Sequence, residues 1–584
     1  MYKNGIIKIQ LSSPSLKVAN PLANAYSIKQ ILNISKASFV IFPELCLSSY
    51  TAGDLFFETT FLKENLKALD WLLQNNTYEG VYILGMPLAL QEVLFNVAVV
   101  IQKDKILGIV PKKTIPNYKE FHEKRWFQSG KTWSSQHIDI LSQKVPFGDI
   151  LFINQQYDVI FGVEICQDLW TIFSPSDILA LNGAHLIFNL SSSTEHIGKV
   201  IPRQIAVLDH SRKQIGGYFY TSSGITESTV DNLFSNHKIA AVVGQLIGEG
   251  DLFNQEHHSL LVDVDIDYIK FQRRIDTTYG DQRIGQEFPF LKAYFTIQEI
   301  PLYCFENKFS RTPFITAFPL EHQLKLANKI QTLALKTKLK NVDAKVILEI
   351  TDDNNDFLTF MVLRQTFALL HKSYHDLIIV LNPQTFKDQN HYQLLKTFLI
   401  SEKIIHISEH NFFHQKQLLS FLNSGQTPPI LLLENNNFSN IAIGNMSTRG
   451  YYDHLYNVNV GIPNTLIKEL LLFHLTKDFW KNHQTLQSLY QQKTKNMISE
   501  KLLIEDFILF NYIKNGYEKD KMAWLLEQTF NFNQKESQAL VTSYLKLFHQ
   551  SQFKRQYMAP GPKILENSLS PRNEYRLPID LQRQ

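Results

Sequence analysis

Six short apolar runs, rich in β-branched and aromatic residues, punctuate the first 190 residues and limit the fold more than any other feature. They are IIKIQL (6–11), SFVIF (38–42), VYILGM (81–86), FNVAVVI (95–101), DVIFGVEI (158–165) and AHLIFNL (184–190). Runs of this length and composition read as buried strands rather than helices. Helical stretches such as FLKENLKALDWLLQN (61–75) lie between them, and GGYFYTSS (216–223) and HKIAAVV (237–243) follow. Strands alternating with helices predict a layered α/β domain over residues 1–270. Residues 271–312 contain Pro289 and Pro301 and little periodicity, which predicts a linker. A second α/β pattern fills 313–584. It has an amphipathic helix at 322–339, strands KVILEI (345–350), LIIVLN (377–382) and PILLLE (429–434), and a helix at 465–479.

A chain of 584 residues has room for more than one core. Its net charge is only +3 and it has no Lys/Arg block, which argues against a nucleic-acid partner. The three cysteines, Cys46, Cys166 and Cys304, are too few for a disulfide framework and form no C-x-x-C pair. That usage predicts a reducing, cytoplasmic setting and no metal site. No secretory pattern opens the chain. No apolar run reaches the roughly 18 residues of a membrane helix, so no membrane partner is expected.

Three reactive side chains stand just past apolar runs: Glu44 after SFVIFP, Lys112 after KILGIVP and Cys166 after DVIFGVEI. Positions past strand ends in α/β folds face the crevice where ligands bind. A thiol is scarcely ionised at neutral pH and needs a base or a nearby cation. Glu44 could take its proton and later activate water. Lys112 could stabilise the thiolate and then an oxyanion, a contact whose loss costs about 3–4 kcal/mol. Such a set suits hydrolysis of an amide carbon–nitrogen bond through a thioester. Each residue alone has a plainer reading: a small core cysteine, a turn glutamate, a surface lysine. The words around them carry the case.

Those words are FPELCLSSYTAGDLF (42–56), VPKKTIPNYKEFHEKRWF (110–127) and GVEICQDLW (162–170), joined by NLSSSTEHIGK (189–199) and SSGITEST (222–229). In order and spacing they resemble the signature blocks of nitrilases, and more narrowly the glutaminase domain of glutamine-dependent NAD synthetases. The resemblance implies a nitrilase-like α-β-β-α sandwich, with Glu44 as general base, Lys112 as catalytic lysine, Cys166 as nucleophile and Glu123 as second glutamate. Lys113 is the adjacent candidate for the lysine, but Lys112 keeps the family's spacing to Pro116. The resemblance sets Tyr118, Trp170 and Ser193 around a glutamine substrate, with Ser191 as the substitute for Ser193. Gln167 departs from the family, which has Glu after the cysteine. A homo-oligomer is implied, and amide hydrolysis needs no cofactor.

The second half resembles the family's synthetase domain, an adenine nucleotide α-hydrolase-like α/β fold. MSTRGYYDHLYNVNVGIPNTLI (446–467) and the tail SQFKRQYMAPGPKILENSLSPRNEYRLP (551–578) carry this resemblance, with Lys554 and Arg572 on the dinucleotide side. The family's ATP loop, S-G-G-x-D-S, is here TDDNND (351–356). Thr351, Asp352, Asp353 and Asp356 make a degenerate loop, with Asp at both glycine positions. Glycine lets backbone N–H groups lie bare against pyrophosphate. Each added carboxylate facing a phosphate at about 4 Å costs roughly 4 kcal/mol at an effective dielectric of 20. A polar turn capping a helix is the plainer reading of TDDNND. A calcium loop is excluded, because Phe357 and Leu363 replace its Gly and Glu. Where the family has G-T-G-D-L-S-E, this chain has ENNNFSN (434–440), and Asn440 replaces the acid. The expectation is a glutamine amidohydrolase with an inactive synthetase-like domain; ATP and Mg²⁺ enter only if that domain works. The alternatives are a functional synthetase with a divergent ATP site and a non-catalytic assembly protein. TDDNND argues against the first, and the intact Glu44, Lys112 and Cys166 against the second.

Overall fold

The computed structural model describes residues 2–581 except 231, 255–258, 286–287, 316–318, 343, 408–428, 447–453, 478–479, 481–482 and 496. The chain divides into two compact units, Met1–Asn307 and Lys308–Gln584. Part of the 446–467 block (447–453) and the end of the 465–479 helix (478–479) lie outside the described residues.

Unit 1 holds two sheets. A nine-stranded sheet contains Ile6–Ser12, Phe39–Ile41, Val81–Leu90, Val93–Gln102 and Lys105–Pro111 as consecutive neighbours. A seven-stranded sheet contains Ile150–Asn154, Val159–Ile165, Leu186–Ser191 and Gly217–Ser222 as consecutive neighbours. Strand alternation sorts the side chains between layers. Ile7, Ile9, Leu11, Phe39 and Ile41 join Phe161, Val163, Leu186 and Phe188 in one core between the sheets. Val40 and Phe42 point the other way, to a core shared with the helices Pro21–Ile34 and Thr59–Asn75. The second sheet's outer face packs Tyr218 and Tyr220 against Leu179 and Val207 of the helices Pro175–Leu181 and Val200–Lys213. This is the α-β-β-α sandwich expected from the sequence.

The expected linker is not one over most of its length. Leu291–Tyr294 pairs in parallel with Ile150–Asn154 and forms the edge of the second sheet. The helix Ile266–Ile275 runs into the same segment and buries Arg273, whose guanidinium donates to the carbonyls of Ala184, Gln214 and Ile215. A four-residue strand is too short to give a period, and its partner lies more than 100 residues away. The sequence therefore read as irregular.

Unit 2 is built on a five-stranded, all-parallel sheet in the order Ile405–Ile407, Leu377–Leu381, Lys345–Ile350, Ile430–Glu434, His454–Asn457. The chain order reverses between Lys345–Ile350 and Ile430–Glu434. Open parallel sheets form their ligand crevice at such a reversal, past the carboxyl ends of the strands. Residues 351–356 and 434–440 stand at those two ends.

Candidate active site

In unit 1 the turn after Phe39–Ile41 carries Glu44, and Gly85 of the neighbouring strand lets that turn lie flat against it. A Cβ on Gly85 would sit 2.2 Å from the Leu45 nitrogen. Lys112 follows Lys105–Pro111, and its backbone N–H is held by the Asn96 carbonyl at 2.9 Å. Cys166 follows Val159–Ile165 with φ +46°. That left-handed conformation is uncommon for a residue with a side chain and persists only where its surroundings hold it.

Glu44, Lys112 and Glu123 form one sealed network, all within 1% of fully buried. The Lys112 ammonium donates to Glu44 Oε1 at 2.5 Å and to both oxygens of Glu123 at 2.8 Å. Asn96 donates to Glu44 Oε1 at 2.7 Å, and the Tyr50 hydroxyl donates to Glu123 Oε1 at 2.9 Å. Glu44 Oε2 is buried with no hydrogen-bond partner among the described residues.

The charges fix the resting state. Burial pushes Glu44 up to about 7, against the pull of Lys112 and with the help of Glu123. Burial alone would lower Lys112, but Glu123 and Glu44 outweigh it and keep the ammonium charged. Burial and the charge of Glu44 push Cys166 up to about 12, and Lys112 opposes them. The cysteine therefore rests as a thiol beside a base with one free oxygen. Lys113, the alternative lysine, is turned away: its ammonium meets the Gly130 carbonyl at 3.2 Å and Asp149 at 3.0 Å.

Tyr118 and Trp170 are exposed, and the Tyr118 hydroxyl donates to Gln167 at 3.0 Å. Ser193 is buried, and its hydroxyl accepts from Arg203 at 3.1 Å. Ser191 donates to Asn189 at 2.7 Å. Five residues here escaped the sequence reading: Tyr50, Asn96, Glu120, Asp168 and Lys199. Asn96 had a signal, a lone amide inside the apolar run FNVAVVI. Glu120 accepts from Thr194 at 2.8 Å and lies 3.9 Å from Lys199. Burial holds Lys199 below the ordinary ammonium range, while Cys166 and Glu120 oppose that shift.

In unit 2 the loop 351–356 bonds to itself. The buried Asp356 carboxylate accepts from the Thr351 N–H at 2.7 Å, from the Thr351 hydroxyl at 2.6 Å and from the Asn435 amide. The Asp353 N–H donates to the Thr351 hydroxyl, and the Asn355 N–H donates to the Asp353 carboxylate, which caps the helix Asn354–Leu370. Asp352 pairs with Lys493 and with His391. Asn437 bridges Asn355 and Asn464 across the crevice. Lys554 donates to the Gly444 carbonyl and Arg572 to the Met558 carbonyl. No group of three or more potential metal ligands occurs among the described residues, and no described helix is long and apolar enough to cross a membrane.

Residues 10–267 match the model of the carbon-nitrogen hydrolase family. The glutamine-dependent NAD(+) synthetase of Mycobacterium leprae is 24% identical over 661 residues, which cover 99% of this chain and 97% of that protein. The Mycobacterium tuberculosis protein of the same name is 26% identical over the same shares. Among solved structures, a glutamine-dependent NAD(+) synthetase from Cytophaga hutchinsonii aligns over 98% of this chain and 97% of its own, with 16% identity and a TM-score of 0.40. Most of unit 1 thus matches the carbon-nitrogen hydrolase model, and the chain is similar along nearly its whole length to glutamine-dependent NAD(+) synthetases.

Proposed function

We propose that unit 1 hydrolyses the carboxamide of glutamine and that unit 2 makes no NAD. One observation supports the first part most: the free oxygen of a near-neutral Glu44, sealed beside the Lys112 ammonium, with both charges acting on Cys166. Glu44 takes the thiol proton as sulfur attacks the amide carbon. Lys112 steadies the oxyanion, a contact worth about 3–4 kcal/mol. As the carbon–nitrogen bond breaks, Glu44 returns the proton to nitrogen and ammonia leaves. Water then gives a proton to Glu44 and attacks the thioester. The acid departs, and the thiol regains its proton from Glu44. Glu123 and Asn96 keep Lys112 and Glu44 in place. The opposite charges of Glu120 and Lys199 suit the α-ammonium and α-carboxylate of a free amino acid, and the relatives are named for glutamine dependence.

The second part rests on loop 351–356. Three of its backbone N–H groups, which a phosphate would need, already have side-chain acceptors. Asp352 and Asp353 put carboxylates where phosphate would approach, so the residues present do not fit ATP. We also infer a homo-oligomer, which light scattering tests. A monomer of 67.7 kDa at micromolar concentration would refute it.

Ammonia release from glutamine, asparagine and simple amides, with and without ATP and deamido-NAD, tests the whole reading. Glutamine is expected to be the best substrate at a rate that the nucleotides do not change. Silence toward every amide overturns the first part, and NAD production overturns the second.

A further inference from the structure

The catalytic lysine and the nucleophile sit on strands of different sheets, and something must fix their separation. Asp168 does so directly. Its side chain is fully buried, and it accepts from the backbone of both strands' ends. Asp168 Oδ2 accepts from the Ile165 N–H at 3.1 Å, three residues back and next to Cys166. Asp168 Oδ1 accepts from the Thr114 N–H at 2.7 Å, and the Lys113 N–H reaches Oδ2 at 3.4 Å. One carboxylate therefore ties the elbow that carries Cys166 to the segment that carries Lys112.

We propose that Asp168 is a positioning residue for amide hydrolysis, setting the distance between the Lys112 ammonium and the Cys166 sulfur. The proposal rests on the reading of unit 1 as an amidase. Two features favour it over a purely structural role. Cys166 holds a left-handed backbone, and the Ile165 N–H bond to Asp168 closes the turn that imposes it. And Lys112 has no backbone tie to the cysteine strand of its own: its N–H goes to Asn96 within the first sheet. A carboxylate is the right group here, because it offers only acceptors to three converging donors. Asparagine keeps the shape but must turn an N–H₂ toward at least one of those N–H groups. That leaves buried donors unpaired and lets the two segments part. A misplacement of about 1 Å between reacting groups is enough to cost on the order of 100-fold in rate.

The test is Asp168→Asn in the full chain, read in three ways. Glutamine turnover is expected to fall about 30- to 100-fold in kcat with KM within about threefold. The pH profile of Cys166 alkylation by iodoacetamide is expected to move to higher pH, because the Lys112 charge is the largest influence that lowers the thiol's pKa. Circular dichroism and melting confirm that the variant is folded. If it is not, Asp168→Glu, which keeps the charge and both acceptors at a longer reach, is read by the same assays. A folded variant with wild-type kcat, or with an unchanged alkylation profile, overturns the proposal. The alkylation profile needs no substrate, so it still tests Asp168 if the wild-type protein proves silent toward glutamine.

Discussion

In unit 1 the buried carboxylate of Glu44 keeps one oxygen without a partner among the described residues, whereas in unit 2 the buried carboxylate of Asp356 has both oxygens bonded within its own crevice. Both acids are driven up by burial, Glu44 to about 7 and Asp356 to about 8, where the charge of Asp353 adds to the effect. Burying a carboxylate is costly unless it is paired or bonded. Unit 1 offsets that cost with a buried ammonium and leaves a basic oxygen available to the thiol. Unit 2 offsets it with the Thr351 N–H and hydroxyl and the Asn435 amide, while the loop's Asp353 and Asn355 N–H groups go to Thr351 and Asp353. The same residue chemistry past a strand end thus leaves an unbonded carboxylate oxygen in one place and a closed turn in the other. The difference lies in where the partners come from.

Substitution of the nucleophile should divide the two regions most sharply. Cys166→Ala is expected to lower ammonia release by about 10⁴-fold or more with the fold retained, and Lys112→Ala by roughly 10²–10³-fold. Asp356→Asn, the matching change in unit 2, is expected to leave ammonia release within about twofold, because it shares no partner with Glu44, Lys112 or Cys166 among the described residues. Near wild-type release by Cys166→Ala would end the amidase mechanism. A large loss in Asp356→Asn would overturn the assignment of amide hydrolysis to unit 1 alone.

The pH profile is the next test. Glu44 must be ionised to take the thiol proton, and burial raises it to about 7. Below that value the protonated form dominates, so kcat/KM should fall about tenfold per pH unit on the acid side. The Lys112 ammonium bonded to Glu44 opposes that rise, so the limb reports the bonded pair rather than an isolated acid. An acid limb near pH 4.5, the ordinary glutamate value, would show that no buried glutamate acts as the base.

Much of this was legible in the sequence, for unequal reasons. The layered α/β domain could be read because its strands are short runs rich in β-branched and aromatic residues with helical stretches between them, whereas the sandwich was implied only by the resemblance of the signature blocks. Glu44, Lys112 and Cys166 were singled out because each follows such a run, and the signature words around them carried the reading. The edge strand Leu291–Tyr294 could not, since four residues give no period and the pairing is long-range. Asp168 could not either. Its role lies in accepting backbone N–H groups from segments more than 50 residues apart, and backbone donors leave no mark in a sequence. The loop TDDNND was legible as unlike an ATP loop, but its closure by Asn435 and Thr351 was not.

A smaller effect concerns stability. His474 in unit 2 is fully buried, both ring nitrogens lack hydrogen-bond partners among the described residues, and burial with Lys477 nearby lowers it to about 3. The unfolded chain binds a proton at His474 below about pH 6.5, while the folded one resists until about pH 3. Stability of unit 2 should therefore fall as pH drops through that window, by at most about 5 kcal/mol. His474→Leu should flatten the dependence. Urea midpoints at pH 7.5 and 5.0 check it, and equal losses in both proteins would remove His474 as the cause.

The smallest expected effect is none at all: unit 2 should ignore ATP. Adenylation of a carboxylate needs the pyrophosphate held against bare backbone amides. In loop 351–356 the N–H groups of Thr351, Asp353 and Asn355 donate to Asp356, Thr351 and Asp353. Opening the loop would break those bonds and leave Asp356 buried beside Asp353 with a triphosphate approaching. Mg²⁺ could bridge a carboxylate to phosphate, yet it would not remove the side chains at 352 and 353 that stand where glycine is needed. The Asn437 bridge to Asn355 and Asn464 closes the crevice from its second wall. Millimolar ATP with Mg²⁺ should therefore shift the melting temperature by less than about 1 °C, because a ligand stabilises only in proportion to its occupancy of the folded state. Deamido-NAD with ATP and free ammonia should yield no NAD above a blank without enzyme. Ammonia as the nitrogen source bypasses unit 1, so a positive result would show that unit 2 opens its loop and works, and the contrast between the two crevices would have to be abandoned.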